Sequence, residues 1–367
     1  AWNAVSMVVF RLLSATAGSA TGPAAMAYVN RLFEPNERVR PLGLWSFVTA
    51  GAPVLGVVIG GPVIAAIGWR MIFVVQAPLL IGAAALAWYL LPQTSRMKNV
   101  KFDVKGSVAL GLGATLFLLA VNRGHSWGWT SPAILFFAVA SLVSLWLFIR
   151  FERAAEAPLM PLKWLRTPNI ILPISIQALL NFAYMGGFIV VPQMLEIGLG
   201  YSASHVGWLI IARPLTFSIT APLASFFTMR AGERKSGVIG ACAVIASMLI
   251  LSSLASGSSD LLVVLGLGLS GIGFGIAAPA LTALVANAVD DETIGVAGAM
   301  QQLLSQMGAV LGSTVMISVH EMTVGSTTVV RSYGIALLFG AGTATAAALL
   351  ASRLTPTDRS AEAMAAN

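Results

Sequence analysis

Two arginines lie deep inside long apolar segments, where a positive charge is costly to place. Arg11 stands about nine residues into the first apolar run, and Arg213 stands about ten residues into a later one. If these runs are helices that cross a membrane, a rise of about 1.5 Å per residue puts both side chains roughly 13–15 Å deep. A charge at that depth costs at least about 2.5–3.5 kcal/mol on insertion scales. We therefore expect each guanidinium to face a polar cavity or an internal partner, unless Arg11 reaches the outer surface.

Pro214 follows Arg213 directly and frees a backbone carbonyl one turn earlier in the helix. Three roles therefore stay open for Arg213. It could bond such carbonyls inside the protein, contact a substrate or another anion, or belong to a gating pair.

Two apolar runs also carry soft and amphipathic side chains that suit contact with varied apolar solutes. In one run these side chains recur in steps of three and four, which places them on one face of a helix. Ordinary core residues would show the same pattern, so both interpretations stay open. The predicted substrate-binding residues are Gln177, Asn181, Tyr184 and Met185 in one run, and Met300, Gln301, Gln302 and Gln306 in another.

Acidic side chains are kept out of the membrane in this sequence. All fourteen Asp and Glu residues lie in connections, at run ends or in the tail, and Glu196 is the one nearest to the membrane. It is either a proton or cation site at an outer gate or a hydrated surface carboxylate. The single cysteine, Cys242, is expected to be a small buried core residue. No residue set for a metal, a cofactor or catalysis appears, so we predict that the chain is not an enzyme and uses no cofactor.

Composition identifies the elements that must position these residues. The chain is 57% hydrophobic and only 10% charged, whereas soluble domains carry about 25% charged residues. A membrane-spanning helix needs roughly 20 mostly apolar residues. We predict an all-α polytopic membrane protein with about eleven such runs, at 2–29, 42–66, 70–91, 106–122, 132–150, 168–194, 203–228, 236–256, 260–286, 293–319 and 332–352.

Basic residues predict how these runs are oriented. With Ala1 outside, sixteen of the 21 Lys and Arg residues fall in cytoplasmic segments, three fall outside and two lie within the membrane. Lys and Arg are enriched in cytoplasmic loops. We therefore predict a multi-pass protein of the cell membrane, with its first residue outside and its C-terminus in the cytoplasm. The lipid bilayer is thus a partner, and the scattered basic residues speak against nucleic acid. The odd number of runs and the missing Met predict a truncated chain.

The segment 44–78 carries the most specific motif of the sequence. It contains Ala-Pro-x-Leu-Gly-x-x-x-Gly-Gly, with Pro53, Gly56, Gly60 and Gly61, followed by Trp-Arg-x-Ile-Phe from Trp69. This stretch resembles the antiporter motif in the 14-helix drug:proton antiporters of the major facilitator superfamily. The similarity continues along the chain through a second set of residues: Arg11, Pro23, Pro192 to Ser202, Pro222 to Arg234, Gly271, Gly273, Gly275, Pro279, Gln306, Gly308 and Gly312.

The resemblance implies a domain order and a mechanism. On its register the chain lacks the first three helices of the major facilitator fold. Residues 1–92 would be a partial N-terminal bundle, 93–166 an extra helix pair with linkers, 167–353 a six-helix C-terminal bundle and 354–367 a disordered cytoplasmic tail. It implies proton-coupled export of amphipathic or cationic small molecules by alternating access. The implied proton-coupling and gating residues are Arg11, Pro53, Gly56, Gly60, Gly61, Glu196 and Arg213.

Two other functions stay open at this point. One is a carrier of the same superfamily for a small anionic metabolite or siderophore, with Arg213 as the anion contact. The other is a membrane sensor or scaffold that transports nothing, in which Arg11 and Arg213 are neutralised internally. The glycines at 56 and 60 are likewise open to two interpretations, because small residues four apart serve ordinary helix packing as well as a seal across a substrate path.

Overall fold

The computed structural model describes residues 2–32, 48, 52, 56, 60, 63, 66–92, 103–155, 158, 160–290 and 293–355. Within these ranges the chain is helical and contains no strand, and ten helical segments are long and apolar enough to cross a membrane. Helices satisfy their own backbone hydrogen bonds, which a lipid environment requires. The prediction of an all-α multi-pass membrane protein is confirmed. The predicted run 42–66 falls almost wholly outside the described residues.

The helices follow the predicted runs closely. In chain order they are α1 (Ala4–Leu32), α2 (Trp69–Leu90), α3 (Val104–Trp127), α4 (Pro132–Ala154), α5 (Pro168–Gln193), α6 (Ala203–Ile210), α7 (Ala212–Ala231), α8 (Glu233–Ser252), α9 (Asp260–Asn287), α10 (Ile294–Val324) and α11 (Val329–Ala351). A single π-helical turn, Met194–Gly198, extends α5.

The predicted run 203–228 is divided into α6 and α7 at Ile211, two residues before Arg213. A proline removes one hydrogen bond of the preceding turn and crowds its carbonyl, so Pro214 accounts for a break here. Local signals also set other helix ends. The carboxylate of Asp103 accepts from the backbone N–H of Gly106 at 2.8 Å and caps α3, and Gly232, with φ of +84°, separates α7 from α8.

Six of the described spans, from α5 to α11, pack against one another around a shared apolar core. In this group α5 lies against α10 and α11, while α9 lies against α7 and α8. Helices α3 and α4 form a pair, in which Ser141 Oγ donates to the carbonyl of Gly113 at 2.9 Å, and α3 also contacts α10. The expectation that Cys242 is buried is wrong, because its side chain is exposed on α8. A small apolar side chain is stable on a helix surface that faces lipid.

Glycines allow a close contact between α5 and α10. A Cβ at Gly308 would collide with the carbonyl oxygen of Ala178, and one at Gly312 with the carbonyl oxygen of Phe182. Small residues four apart let two backbones touch in this way. The antiporter-motif pair differs, since no described atom lies within 4 Å of a Cβ built on Gly56 or Gly60. The role of that pair stays a prediction, because most of its segment is outside the described ranges.

Candidate functional site

Arg213 joins three helices in the interior of the α5–α11 group. Its side chain is 1% exposed. The Nε atom donates to Ser270 Oγ of α9 at 2.7 Å, and Nη1 donates to the carbonyl of Tyr184 in α5 at 3.0 Å. Among the described residues, Nη2 has no hydrogen-bond partner. The guanidinium therefore bonds an internal carbonyl, as one of its predicted roles requires, and its Nη2 amino group is unpaired among the described residues.

Aromatic rings surround the same point. The rings of Tyr184 and Phe274 stack with centroids 4.7 Å apart and an interplanar angle of 18°. Phe217 completes the set, with its ring centroid 6.3 Å from that of Tyr184 and 5.8 Å from that of Phe274. The guanidinium carbon of Arg213 lies 5.1 Å from the Tyr184 ring centroid, which is within cation–π range. We call Tyr184, Phe217 and Phe274 the aromatic face.

Of this site, sequence reasoning found Tyr184 and Arg213 and missed the other members. Phe217 stands four residues after Arg213, and Phe274 stands four residues after Ser270. That spacing puts each phenylalanine on the same helix face as a residue that touches the site. The signal was therefore present, but phenylalanine in an apolar helix does not by itself stand out.

A glycine provides the space for the arginine. A Cβ at Gly187 would lie 3.1 Å from Nη2 of Arg213 and 3.1 Å from Cε of Met248. Carbon atoms normally pack at about 3.5–4.0 Å. Any larger residue at 187 would thus force the guanidinium or the methionine to move.

A row of buried and half-buried polar contacts involves the same helix as Tyr184. Asn181 Nδ2 donates to the carbonyl of Ser305 at 2.9 Å and lies 3.0 Å from its hydroxyl. Gln301 Nε2 donates to Gln177 Oε1 and to the hydroxyl of Thr282, each at 3.2 Å. The structure thus brings together three of the predicted substrate-binding residues, and these contacts connect α5, α9 and α10.

The other predicted binding residues are more scattered. Met300 is buried in a small apolar cluster with Ile170 and Ile174, and Met185 is half-buried on α5. Gln302 and Gln306 are exposed and share a different face of α10 from Gln301. Whether any of these side chains contacts a substrate stays a prediction.

The predicted coupling residues Arg11 and Glu196 are not buried. Arg11 is exposed, and its guanidinium carbon lies 5.7 Å from the ring centroid of Phe73 in α2. Glu196 is exposed in the π-helical turn after α5. Pro53 and Gly61 lie outside the described residues. An apolar cavity of about 590 Å³ is lined by α1 between residues 20 and 32 and by Leu91, and none of the predicted coupling residues lines it.

A second polar cluster ties the start of α6 to the start of α9. His205 Nε2 lies 2.8 Å from Asp260 Oδ2, and the ring of Tyr201 stacks on that of His205 with centroids 4.8 Å apart. Burial, and after it the carboxylate of Asp260, raises the pKa of the Tyr201 phenol above its ordinary value. These residues hold the connections of the bundle together and lie apart from the aromatic face.

Ten of the described helical segments are long and apolar enough to cross a membrane, and they enclose a buried cation and several polar contacts. These features define the class of the protein as a polytopic α-helical membrane protein. The family model described as Major Facilitator Superfamily matches residues 1–312 and 174–367. The chain therefore belongs to the Major Facilitator Superfamily, a family of transporters that handle small molecules.

Similar proteins have names that refer to resistance and export. The chain is 27% identical over 320 residues to the tetracenomycin C resistance and export protein of Streptomyces glaucescens. The aligned region covers 86% of this chain and 59% of the relative. The chain is 28% identical over 308 residues to multidrug resistance protein Stp of Mycobacterium tuberculosis, covering 84% and 57%. It is 26% identical over 344 residues to quinolone resistance protein NorB of Staphylococcus aureus, covering 92% and 73%. The chain thus spans less than two thirds of the length of the first two.

Proposed function

We propose that the protein is a secondary active transporter of the cell membrane that exports amphipathic, drug-like compounds by alternating access. The observation that carries this proposal is the family match along the whole chain. The names of the relatives support export as the direction. Buried polar side chains in α5, α9 and α10 support a binding region inside the bundle, because polar residues within membrane helices are costly and mark function.

The domain order that we propose has residues 1–92 as a partial N-terminal bundle, 93–166 as an extra helix pair with linkers, 167–353 as a C-terminal bundle and 354–367 as a cytoplasmic tail. Mutual packing of the spans from α5 to α11 supports the third unit. In alternating access, one bundle rocks against the other around a central site. The excess of Lys and Arg in the predicted cytoplasmic segments supports an outside first residue and a cytoplasmic C-terminus.

Proton coupling is the second part of the proposal. It rests on the resemblance of 52–61 and Arg11 to the corresponding motifs of drug:proton antiporters. Arg11 would be the coupling residue, Pro53, Gly56, Gly60 and Gly61 would close the substrate path, and Glu196 would act at the outer gate. A small-molecule substrate and protons would be the partners.

The test is transport by the purified 367-residue chain in lipid vesicles with an imposed pH gradient. A panel of fluorescent drug-like compounds is added, and we expect at least one compound to accumulate until a protonophore collapses the gradient. Accumulation that survives the protonophore would contradict antiport, and no transport of any compound would contradict transport by this chain.

Arg11→Ala should reduce proton-driven transport, since it removes the one charge from the first two thirds of α1. Arg123→Ala is the matched control, because Arg123 is also exposed and also lies over an aromatic ring, that of Trp127, at 5.9 Å. Equal transport rates in the two variants would remove Arg11 from the coupling mechanism.

A further inference from the structure

The aromatic face is suited to planar aromatic solutes. Its rings come from α5, α7 and α9 and lie at the centroid separations that aromatic pairs prefer, about 4.5–7 Å. Tyr184 is 6% exposed, whereas Phe217 and Phe274 are half-buried. The aromatic face is therefore partly exposed through the two phenylalanines.

Arg213 places a fixed positive charge 5.1 Å from the centroid of the Tyr184 ring in this face. The described hydrogen bonds of its guanidinium go to a hydroxyl and a carbonyl, so no negative charge cancels it there. A charge in a low-dielectric interior acts more strongly and over longer distances than it does in water. A cation that approaches Phe217 or Phe274 is consequently repelled, while an anion is attracted.

We infer that the aromatic face selects planar aromatic compounds that are neutral or anionic, and that Arg213 sets the preference against cations. This inference rests on the proposed transport function and narrows its substrate class. Arg213 acts here as a specificity-determining residue through its field, because its own side chain is too deeply buried to touch a solute in this conformation.

Three probes with the same ring system and different charges test this preference: 2-naphthoate, 2-naphthamide and 2-naphthyltrimethylammonium. Their binding to the purified 367-residue chain in non-ionic detergent is measured by equilibrium dialysis. We expect the wild-type protein to bind the anionic and neutral probes about ten-fold more tightly than the cation, as one nearby uncancelled charge would produce.

Variants separate charge from packing. Arg213→Met should bring the affinities for naphthoate and for the cation close together, while Arg213→Lys should keep the preference. Phe274→Leu should lower the binding affinity for all three probes by a similar factor, since it removes a ring but no charge. Arg331→Met is the control for net charge: Arg331 is exposed in the first turn of α11, and its loss should leave the preference unchanged.

Three results would overturn the inference: wild-type binding of the cation as tight as that of naphthoate, no binding of any probe, or an unchanged preference in Arg213→Met. Circular dichroism and gel filtration show whether each variant folds. If a variant fails to fold, the wild-type affinities for the three probes still test the charge preference. Vesicle transport with cations favoured would refute this inference alone. Selective binding without any transport would refute the proposed function and leave the binding preference standing.

Discussion

Arg213 contacts Tyr184 twice: its guanidinium carbon lies 5.1 Å from the tyrosine ring centroid, and its Nη1 donates to the tyrosine carbonyl at 3.0 Å. One residue of α7 therefore fixes both the ring and the backbone of a residue in α5. Through Ser270 the same side chain also reaches α9. The position of the aromatic face thus depends on the guanidinium of Arg213. The guanidinium in turn needs the space that Gly187 leaves beside it.

That space predicts the effect of Gly187→Ala. The added Cβ would lie 3.1 Å from Nη2 of Arg213 and from Cε of Met248, so one of them must move. We expect the free energy of unfolding in mixed detergent micelles to fall by about 1–2 kcal/mol, as overpacking of a filled interior usually does. The matched control is Gly342→Ala on α11, where no described atom lies within 4 Å of the new Cβ. Equal stability of the two variants would show that the site has room to spare.

Hydropathy was sufficient to predict the spans that the structure describes. Long apolar runs carry a strong signal because the bilayer core requires about 20 apolar residues for each crossing. The break at Ile211 was not predicted, since 203–228 reads as one long and mostly apolar run. Pro214 was recognised as freeing a carbonyl, but a membrane helix can also carry a proline without dividing.

The site was predicted less completely than the spans. Arg213 is conspicuous in the sequence because a charge in an apolar run has few explanations. Its partners are not conspicuous, because a backbone carbonyl leaves no trace in the sequence and one serine resembles another. The pairing of Asn181 with Ser305 spans 124 positions, and only the tertiary packing of α5 on α10 brings the two together. The same packing brings Gly308 and Gly312 of α10 against the backbone carbonyls of Ala178 and Phe182 in α5.

Those two glycines give the second prediction. Gly308→Ala and Gly312→Ala should each destabilise the protein by about 1–3 kcal/mol, because the new Cβ meets a backbone carbonyl that cannot rotate away. Unfolding in mixed micelles measures this. Gly298→Ala on the same helix meets no described atom and should be neutral or stabilising by up to about 1 kcal/mol. A tolerated alanine at both 308 and 312 would mean that α5 and α10 lie further apart than described.

Asn181→Leu gives the third prediction. It removes the contacts to Ser305 and leaves a buried carbonyl without this donor. Hydrogen bonds between membrane helices contribute about 0.6 kcal/mol on average and at most about 1.7, so we expect a loss of about 1–2 kcal/mol in the same unfolding assay. Asn122→Leu is the control, because exposed Asn122 makes one long contact of 3.4 Å to Thr314. A larger loss from Asn122 than from Asn181 would contradict the importance of the polar row.

The orientation of α11 gives the fourth prediction, and two exposed serines mark its ends. Ser326 precedes the helix and Ser352 follows it. Its 23 residues reach about 34 Å, enough for a hydrocarbon core of about 30 Å. In a Cys242→Ser background, an impermeant maleimide applied to whole cells should label Ser326→Cys and should label Ser352→Cys only after permeabilisation. The background variant itself, which has no cysteine, should stay unlabelled.

The charge distribution is the physical reason for this expected orientation of α11, since segments rich in Lys and Arg stay in the cytoplasm. Arg353 and Arg359 follow α11, whereas Arg331 is the single basic residue near its other end. Labelling of Ser352→Cys alone in whole cells would invert the orientation of the whole chain, and with it the side on which Glu196 lies. Labelling of both cysteines in whole cells would mean that α11 does not cross the membrane.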